Sequence, residues 1–276
     1  MLYRTGHVPR TEKEVSMFTF SKTTKKIALA MMAGLLVIGM IAGCGTSGDN
    51  AKKVFRVGAE TTFPPFEFTD DKGNYVGFDL DLTKAIAEKI GYTYEFKSLG
   101  FDALIPALKT NDIDVIASGI NPTPERAKQV IFSEPYFTEG GFATVVLKNN
   151  DTIHDNNDLA GKTIVTQIGT VSTDIAKAIP NTISKEVDSN AQIFMELQAG
   201  TSEVAILDNA VAMYYLNNGA NKDFKIVGTP VQPEPYVMAF RTDNKELQGK
   251  VNQALSEMKA DGSYQKIYEK WFGAKK

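Results

Sequence analysis

Cysteine is almost missing from this sequence: Cys44 stands alone in 276 residues. A single thiol excludes an intramolecular disulfide, so the fold has to be held by an ordinary apolar core. Histidine is nearly as scarce, with only His7 and His154. That leaves no Ser-His-Asp order and no spacing of His or Cys that would hold a metal, and no cofactor is expected. Low-complexity tracts and long runs of like charge are absent too. No apolar run reaches the ~20 residues of a comfortable membrane span; the longest, Ile27 to Met40, is interrupted by Gly34 and Gly39. A basic excess is also lacking. Of 30 Lys and Arg and 33 Asp and Glu, six and two fall in residues 1–43, which leaves 24 and 31 in residues 44–276, a net of −7. An acidic chain is a poor partner for nucleic acid, whose affinity comes from phosphate neutralisation. What is present is ordinary for a globular protein, at 43% hydrophobic residues, 22 Gly and 11 Pro, in a chain long enough for two small domains.

The basic excess gathers at the start. Lys22, Lys25 and Lys26 precede the apolar run, and small residues follow it, the order of an export signal. Ile41-Ala42-Gly43-Cys44 resembles the lipobox of bacterial lipoproteins, which implies lipidation at Cys44 and a mature chain that begins there; the other reading is an uncleaved anchor with an incidental Cys. Residues 17–43 form a complete signal, so Met17 is the expected start and residues 1–16 an untranslated or spurious extension. The small polar residues 44–52 read as a tether.

The rest of the chain is organised around Ser118-Gly119-Ile120-Asn121-Pro122-Thr123-Pro124-Glu125-Arg126. An apolar run, Asp114 to Ala117, delivers this stretch to a sheet edge. Thr123 and Pro124 then read as N-cap and first position of a helix. Free main-chain N–H groups beside one guanidinium suit a small carboxylate, although a strand, a turn and a helix with a surface Arg would look the same. Upstream, strands at 54–58 and 92–98 alternate with helices at 79–90 and 101–109, the pattern of parallel βαβ units. Residues 59–66 read as a loop stiffened by two prolines. Downstream come strands at 142–147, 163–166, 183–187, 204–207 and 237–240, helices at 172–179 and 191–199 and a helix closing at 214–221. The Pro-rich stretch from Thr229 to Pro235 cannot be a central strand, and two helices over 247–272 finish the chain.

Two segments run in parallel. Phe101 to Gly119 and Gln192 to Asp208 each read amphipathic helix, polar turn, apolar strand, polar end, with Leu108-Lys109-Thr110-Asn111 opposite Leu197-Gln198-Ala199-Gly200. Two α/β units of similar build follow. Ligands of open α/β sheets sit beyond the carboxyl ends of strands, and four such ends are polar or aromatic: 60–66, 118–126, 167–172 and 208–209. Two come from each half, so a cleft between the halves would receive all four.

From Val54 to Phe272 the chain resembles the family 3 solute-binding proteins, the polar amino-acid receptors of ABC importers. The resemblance rests on Pro65-Phe66-Glu67-Phe68, Gly77-Phe78-Asp79-Leu80-Asp81, Leu104-Ile105-Pro106-Ala107-Leu108, Thr123-Pro124-Glu125-Arg126-Ala127, Phe132-Ser133-Glu134-Pro135-Tyr136 and Tyr268-Glu269-Lys270-Trp271-Phe272. It implies an α/β fold of two periplasmic-binding-protein-like lobes (type II), one of 53–138 plus 236–276 and one of 139–235, with hinge crossings near Tyr136–Gly141 and Glu234–Val237. It also implies a monomeric, extracytoplasmic receptor held to the cell membrane through Cys44, with an ABC permease as partner. Carried over residue by residue, Arg126 would hold a ligand carboxylate with the N–H groups of Asn121 and Thr170. Asp208 would take the ammonium with the Gly119 carbonyl and the Asn121 side chain. Phe63 and Phe101 would sandwich the ligand side chain, and Glu60 and Gln167 would meet its far end.

Each role has a plainer counterpart: Asp208 as a helix N-cap, Phe63 and Phe101 as core aromatics, Glu60 and Gln167 as solvated loop residues. The sequence departs from the family's commonest pattern at Asn121, where a hydroxyl is usual, at Pro122, which removes an N–H, and at Glu60, where Asp is commoner. An acid at the distal end favours a basic amino acid, tolerates glutamine and disfavours an acidic ligand. Two other classes stand beside this one: a cyclohexadienyl-dehydratase-like enzyme on the same fold, with Glu60 as general acid, and the sensor of a receptor, which would need a membrane helix after Trp271.

Overall fold

A computed structural model describes residues 52–232 and 234–274. The leader at 17–43, Cys44 and nearly all of the tether lie outside the described residues. Residues 52–276 form one compact unit. It opens with β1 (Val54–Ala59), a meander of β2 (Thr62–Phe63), β3 (Glu67–Thr69) and β4 (Tyr75–Val76), then α1 (Phe78–Lys89), β5 (Thr93–Ser98), α2 (Leu104–Lys109) and β6 (Val115–Ile116). A short α3 (Pro124–Ala127) leads to β7 (Ile131–Phe132). Next come β8 (Phe142–Leu147), β9 (Thr163–Gln167), α4 (Val171–Ala178), β10 (Ile183–Val187), α5 (Asn190–Gln198), β11 (Val204–Asp208), α6 (Asn209–Asn217) and β12 (Phe224–Val231). The chain ends in β13 (Ala239–Phe240), α7 (Lys245–Ala260) and α8 (Ser263–Phe272).

The strands form two sheets of the same design. One has the order β5-β1-β6-β13-β7 and the other β10-β9-β11-β8-β12. In each, three parallel strands come first, and an antiparallel strand separates them from an edge strand. Helices cover the parallel strands, which is why Val204 to Leu207 can be apolar without alternation and wholly buried. The internal parallel read from the sequence has a counterpart here: β6 and β11 hold the same third position. Asn111 and Gly200, aligned in that reading, both turn left-handed after their helices, at φ 62° and 69°, a conformation open to Gly and tolerated by Asn.

The last two helices return to the first sheet. Leu247, Val251, Leu255 and Met258 of α7 join Phe55, Val57, Leu82 and Ile86 in one core. An aromatic cluster lies beside the hinge, where the Phe66 ring meets Phe78, Phe137, Tyr236 and Phe272 at 4.9 to 6.2 Å. The two connections between the sheets pair with each other. Tyr136 N–H donates to Tyr236 O at 3.0 Å, and Tyr236 N–H donates to Phe137 O at 2.8 Å. A Cβ at Gly140 would lie 2.3 Å from Glu234 O, so the close approach of these crossings requires glycine.

Two features differ from the reading of the sequence, and a third agrees with it. The loop expected at 59–66 contains β2, and β3 follows it unforeseen, because strands of two or three residues are too short to show alternation. The helix from Phe101 begins as a 3₁₀ turn before α2. The Pro-rich stretch, excluded from a central strand, extends β12 to Val231 at the sheet edge, with a register shift after Val227, where the N–H missing from Pro230 costs little.

Candidate functional site

The carboxyl ends of β1, β6, β9 and β11 meet. Glu60, Phe63, Phe101, Gly119, Asn121, Gln167, Thr170 and Asp208 line one narrow cavity between the two sheets. Arg126 stands against this group, its guanidinium 5.4 Å from the Phe101 ring centre. Ser118 and Ser172 lie in strand ends that the sequence reading assigned to the cleft without roles of their own, while Phe142, Asn190 and Leu207, which complete the lining, it did not single out. A more open hollow between Arg56, Glu95, Asp114 and Glu246 is a surface of charged side chains away from the strand ends.

Local rules place Arg126. Thr123 caps α3, accepting the Arg126 N–H on its hydroxyl, and Pro124 takes the first helical position. Nη1 then donates to Asn121 O at 2.8 Å and Nη2 to Gly169 O at 3.0 Å, so one fork reaches both halves of the protein. Burial lowers its pKa to about 10, which leaves it cationic at neutral pH. Of a guanidinium's five donors two are used here.

Asp208 ends β11 and occupies the N-cap position of α6, but its side chain caps no N–H. Oδ1 instead accepts the hydroxyl of Tyr236, on the second crossing. Burial pushes its pKa up to about 7, against the help of that hydroxyl. Glu60 is buried, its pKa also raised by burial, with Oε2 accepting from Thr62 Oγ1 at 2.9 Å. Gln167 is held at both ends of its amide, Oε1 by Asn190 Nδ2 at 3.0 Å and Nε2 by Asp188 O at 3.1 Å. The Asn121 amide donates to Pro235 O at 3.3 Å. The Thr170 N–H makes only a long 3.4 Å bond to Gln167 O. A Cβ on Gly119, at φ 54°, would fall 2.4 Å from the Phe63 ring, so glycine lets that ring lie on the main chain.

A second polar layer lies beneath the loop of Ser118 and Gly119. Ser118 Oγ donates to Glu67 Oε1 at 2.7 Å and accepts the Glu60 N–H at 3.0 Å. Asp79 Oδ2 accepts the Tyr136 hydroxyl at 2.5 Å and the Gly119 N–H at 3.3 Å. Burial, with the Asp79 charge beside it, holds Glu67 protonated far above the usual carboxylate range, while Asp79 is pushed up to about 6. Tyr136 begins the first crossing, so this layer joins hinge to cavity. Tyr136→Phe should cost about 1.5–3 kcal/mol in urea unfolding, the size of a buried hydrogen bond to a charged group; an unchanged midpoint would show that Asp79 finds another donor.

Paired α/β lobes with two crossings and one cavity at their facing strand ends define a periplasmic-binding-protein-like fold of type II. The family of bacterial extracellular solute-binding proteins, family 3, matches residues 55–274. The chain belongs to that family, and the curated relatives it matches are named as binding proteins, not as enzymes. Among its relatives is the arginine-binding extracellular protein ArtP of Bacillus subtilis (strain 168), 35% identical over 259 residues, which span 91% of this chain and all of ArtP. Similar solved structures include an ancestral arginine-binding protein bound to arginine, at 48% identity and TM-score 0.77, covering 80% of this chain and 99% of that one. An ancestral arginine-binding protein bound to glutamine aligns at 48% identity and TM-score 0.76, covering 81% of this chain and 99% of that one.

Proposed function

We propose that this protein is a lipid-anchored receptor that binds a basic L-amino acid, arginine first, between its lobes and delivers it to an ABC importer. The lobes are 53–138 plus 236–276 and 139–235; the leader is 17–43 and the anchor the lipid on Cys44. The observation that carries the reading is the charge pattern of the cavity. Arg126 and Asp208, from different sheets, match a zwitterion's carboxylate and ammonium, and Glu60 is a third, buried acid with no cation among the described residues that line the cavity beside it. A guanidinium or ammonium on the ligand side chain supplies that cation. The names of ArtP and of the arginine-bound ancestral structure point the same way.

Phe63 and Phe101 flank the ligand's carbon chain in this reading, and Arg126 and Asp208 can both be satisfied only with the lobes together, so the ligand favours the closed form by differential contacts. Glutamine is the second reading, favoured by the glutamine-bound ancestral structure: its amide could donate to Glu60 without a charge.

Calorimetry with the twenty amino acids tests the reading. Arginine and lysine should bind more tightly than glutamine, and arginine at a hundred times its Kd should stabilise the protein by about 2.7 kcal/mol. Binding of no amino acid would overturn it. Glu60→Gln should weaken arginine roughly 10- to 100-fold, the worth of a charge-assisted bond, and glutamine far less; an equal loss for both would remove Glu60 from the selection of charge.

A further inference from the structure

The acid at the far end of the cavity is held from across the cleft. The Thr62 hydroxyl that donates to Glu60 also accepts the main-chain N–H of Asn190, at 3.0 Å. Thr62 lies on β2, beside the first sheet, and Asn190 is the first residue of α5, which packs on the second. Chemistry sets the direction of this chain. A main-chain N–H only donates and a carboxylate only accepts, so the one hydroxyl proton of Thr62 points to Glu60. The Asn190 N–H is among the first N–H groups of its helix, which have no partner within the helix and sit at the positive end of the dipole. Ser189 spends its own hydroxyl on Gln192 N–H, which leaves the Asn190 N–H to Thr62.

The buried Asn190 side chain adds a second arm. Its amide holds Gln167 Oε1, while Asp188 O takes a Gln167 N–H. With its oxygen occupied, Gln167 turns its nitrogen to the remaining acceptors, and Glu60 lies in that direction. One residue of the second half thus orients two side chains at the distal end of the cavity.

We propose that Thr62 and Asn190 are positioning residues for Glu60 and Gln167 and join the two halves over the distal end of the cavity, so that selection for a cationic ligand is made only in the closed form. The proposal rests on the reading of Glu60 as the group that meets the ligand's charge. A hydroxyl donor supported by a helix N-terminus stabilises the ionised acid over the protonated one. When the halves separate, the Asn190 N–H leaves and the hydroxyl is free to turn away. A neutral ligand end gains little from this support, a cation much more.

The test uses Thr62→Val, close to isosteric but without the hydroxyl, Thr62→Ser, which restores it, and Asn190→Pro. Proline is accepted at a first helical position, and Ser189 already has the extended backbone a following proline demands, at φ −146° and ψ 156°. Asn190→Ala separates the side-chain arm from the main-chain one. Arginine affinity should fall about 10-fold or more in Thr62→Val and Asn190→Pro while glutamine changes by less than about 3-fold, and Thr62→Ser should recover most of the loss. The Glu60 carboxyl, followed by carbon-13 NMR in the protein closed on glutamine, should titrate at higher pH in Thr62→Val than in the parent. Equal losses for arginine and glutamine, with the Glu60 titration unmoved, would overturn the proposal and leave Thr62 a packing residue. A parent protein that binds neither amino acid would instead overturn the arginine reading, and with it the proposal that rests on that reading.

Discussion

Arg126→Ala should weaken amino-acid binding by roughly 150- to 5,000-fold and leave the protein folded. Removing one member of a desolvated ion pair costs ~3–5 kcal/mol, because the ligand carboxylate would then be buried without its cation. The fold should tolerate the change. Burial lowers the Arg126 pKa, so the free protein already works against this charge. What the substitution removes is the pair of bonds to Asn121 O and Gly169 O, two carbonyls at the cavity that water can reach once the side chain is gone. Arg126→Lys should fall between the two, since one ammonium cannot span both carbonyls and also meet a carboxylate with two parallel bonds. Calorimetry gives the affinity and circular dichroism the melting temperature. An unchanged affinity in Arg126→Ala would end the clamp reading, and a protein that does not fold would make Arg126 structural.

Asp208 carries the second large effect, with a signature in pH. Asp208→Asn should weaken amino-acid binding roughly a hundredfold, through the lost charge opposite the ammonium. In the parent, burial holds the Asp208 pKa near 7, so a bound ammonium needs a carboxyl that is largely protonated below that value. Affinity should therefore decline by up to about tenfold per unit as pH falls below 7, and the Asn variant should lose most of that slope. Stability of the ligand-free protein should move in the other direction. A carboxyl with a raised pKa keeps its proton in the native state where the unfolded chain releases it, so its contribution is present at low pH and is lost as pH rises from about 4 to 7. Asp79, pushed up to about 6, acts with the same sign. Exposed acids with lowered pKa values, Asp70 and Asp261, act in the opposite sense but only below about pH 4. The ligand-free melting temperature should thus be higher at pH 5 than at pH 8, with Asp208→Asn reducing the difference. A melting temperature that rises from pH 5 to pH 8 would contradict the assignment.

Much of this architecture could be read in advance, and the residues show why. The βα alternation, the Thr123-Pro124 start of α3 and the likeness of 101–119 to 192–208 are local patterns, set by caps, periodicity and Gly or Asn at a left-handed turn. Those forces act over a few residues and leave a mark in the order of residue types. The candidate site was legible to the same depth, because ligand groups on open α/β sheets lie at strand ends and these four ends carry the polar residues. Glu67 and Asp79 stood inside motifs that supported the family resemblance without a stated reason. The structure supplies one: a buried acid pair under Ser118 and Gly119, reached by the hinge residue Tyr136.

What the sequence determined by itself is the class of the protein: two α/β units of like design, four functional strand ends, an acid at 60, a cation at 126 and an acid at 208. What only the tertiary structure decided is who holds these groups. That Tyr236 donates to Asp208, that Arg126 reaches Gly169, and that Asn190 supports Glu60 through Thr62 are contacts between segments 28, 43 and 128 residues apart. No local propensity encodes such pairings. They arise when the crossings bring two separately folded sheets face to face, and the charged groups buried there must find their donors in the opposite half.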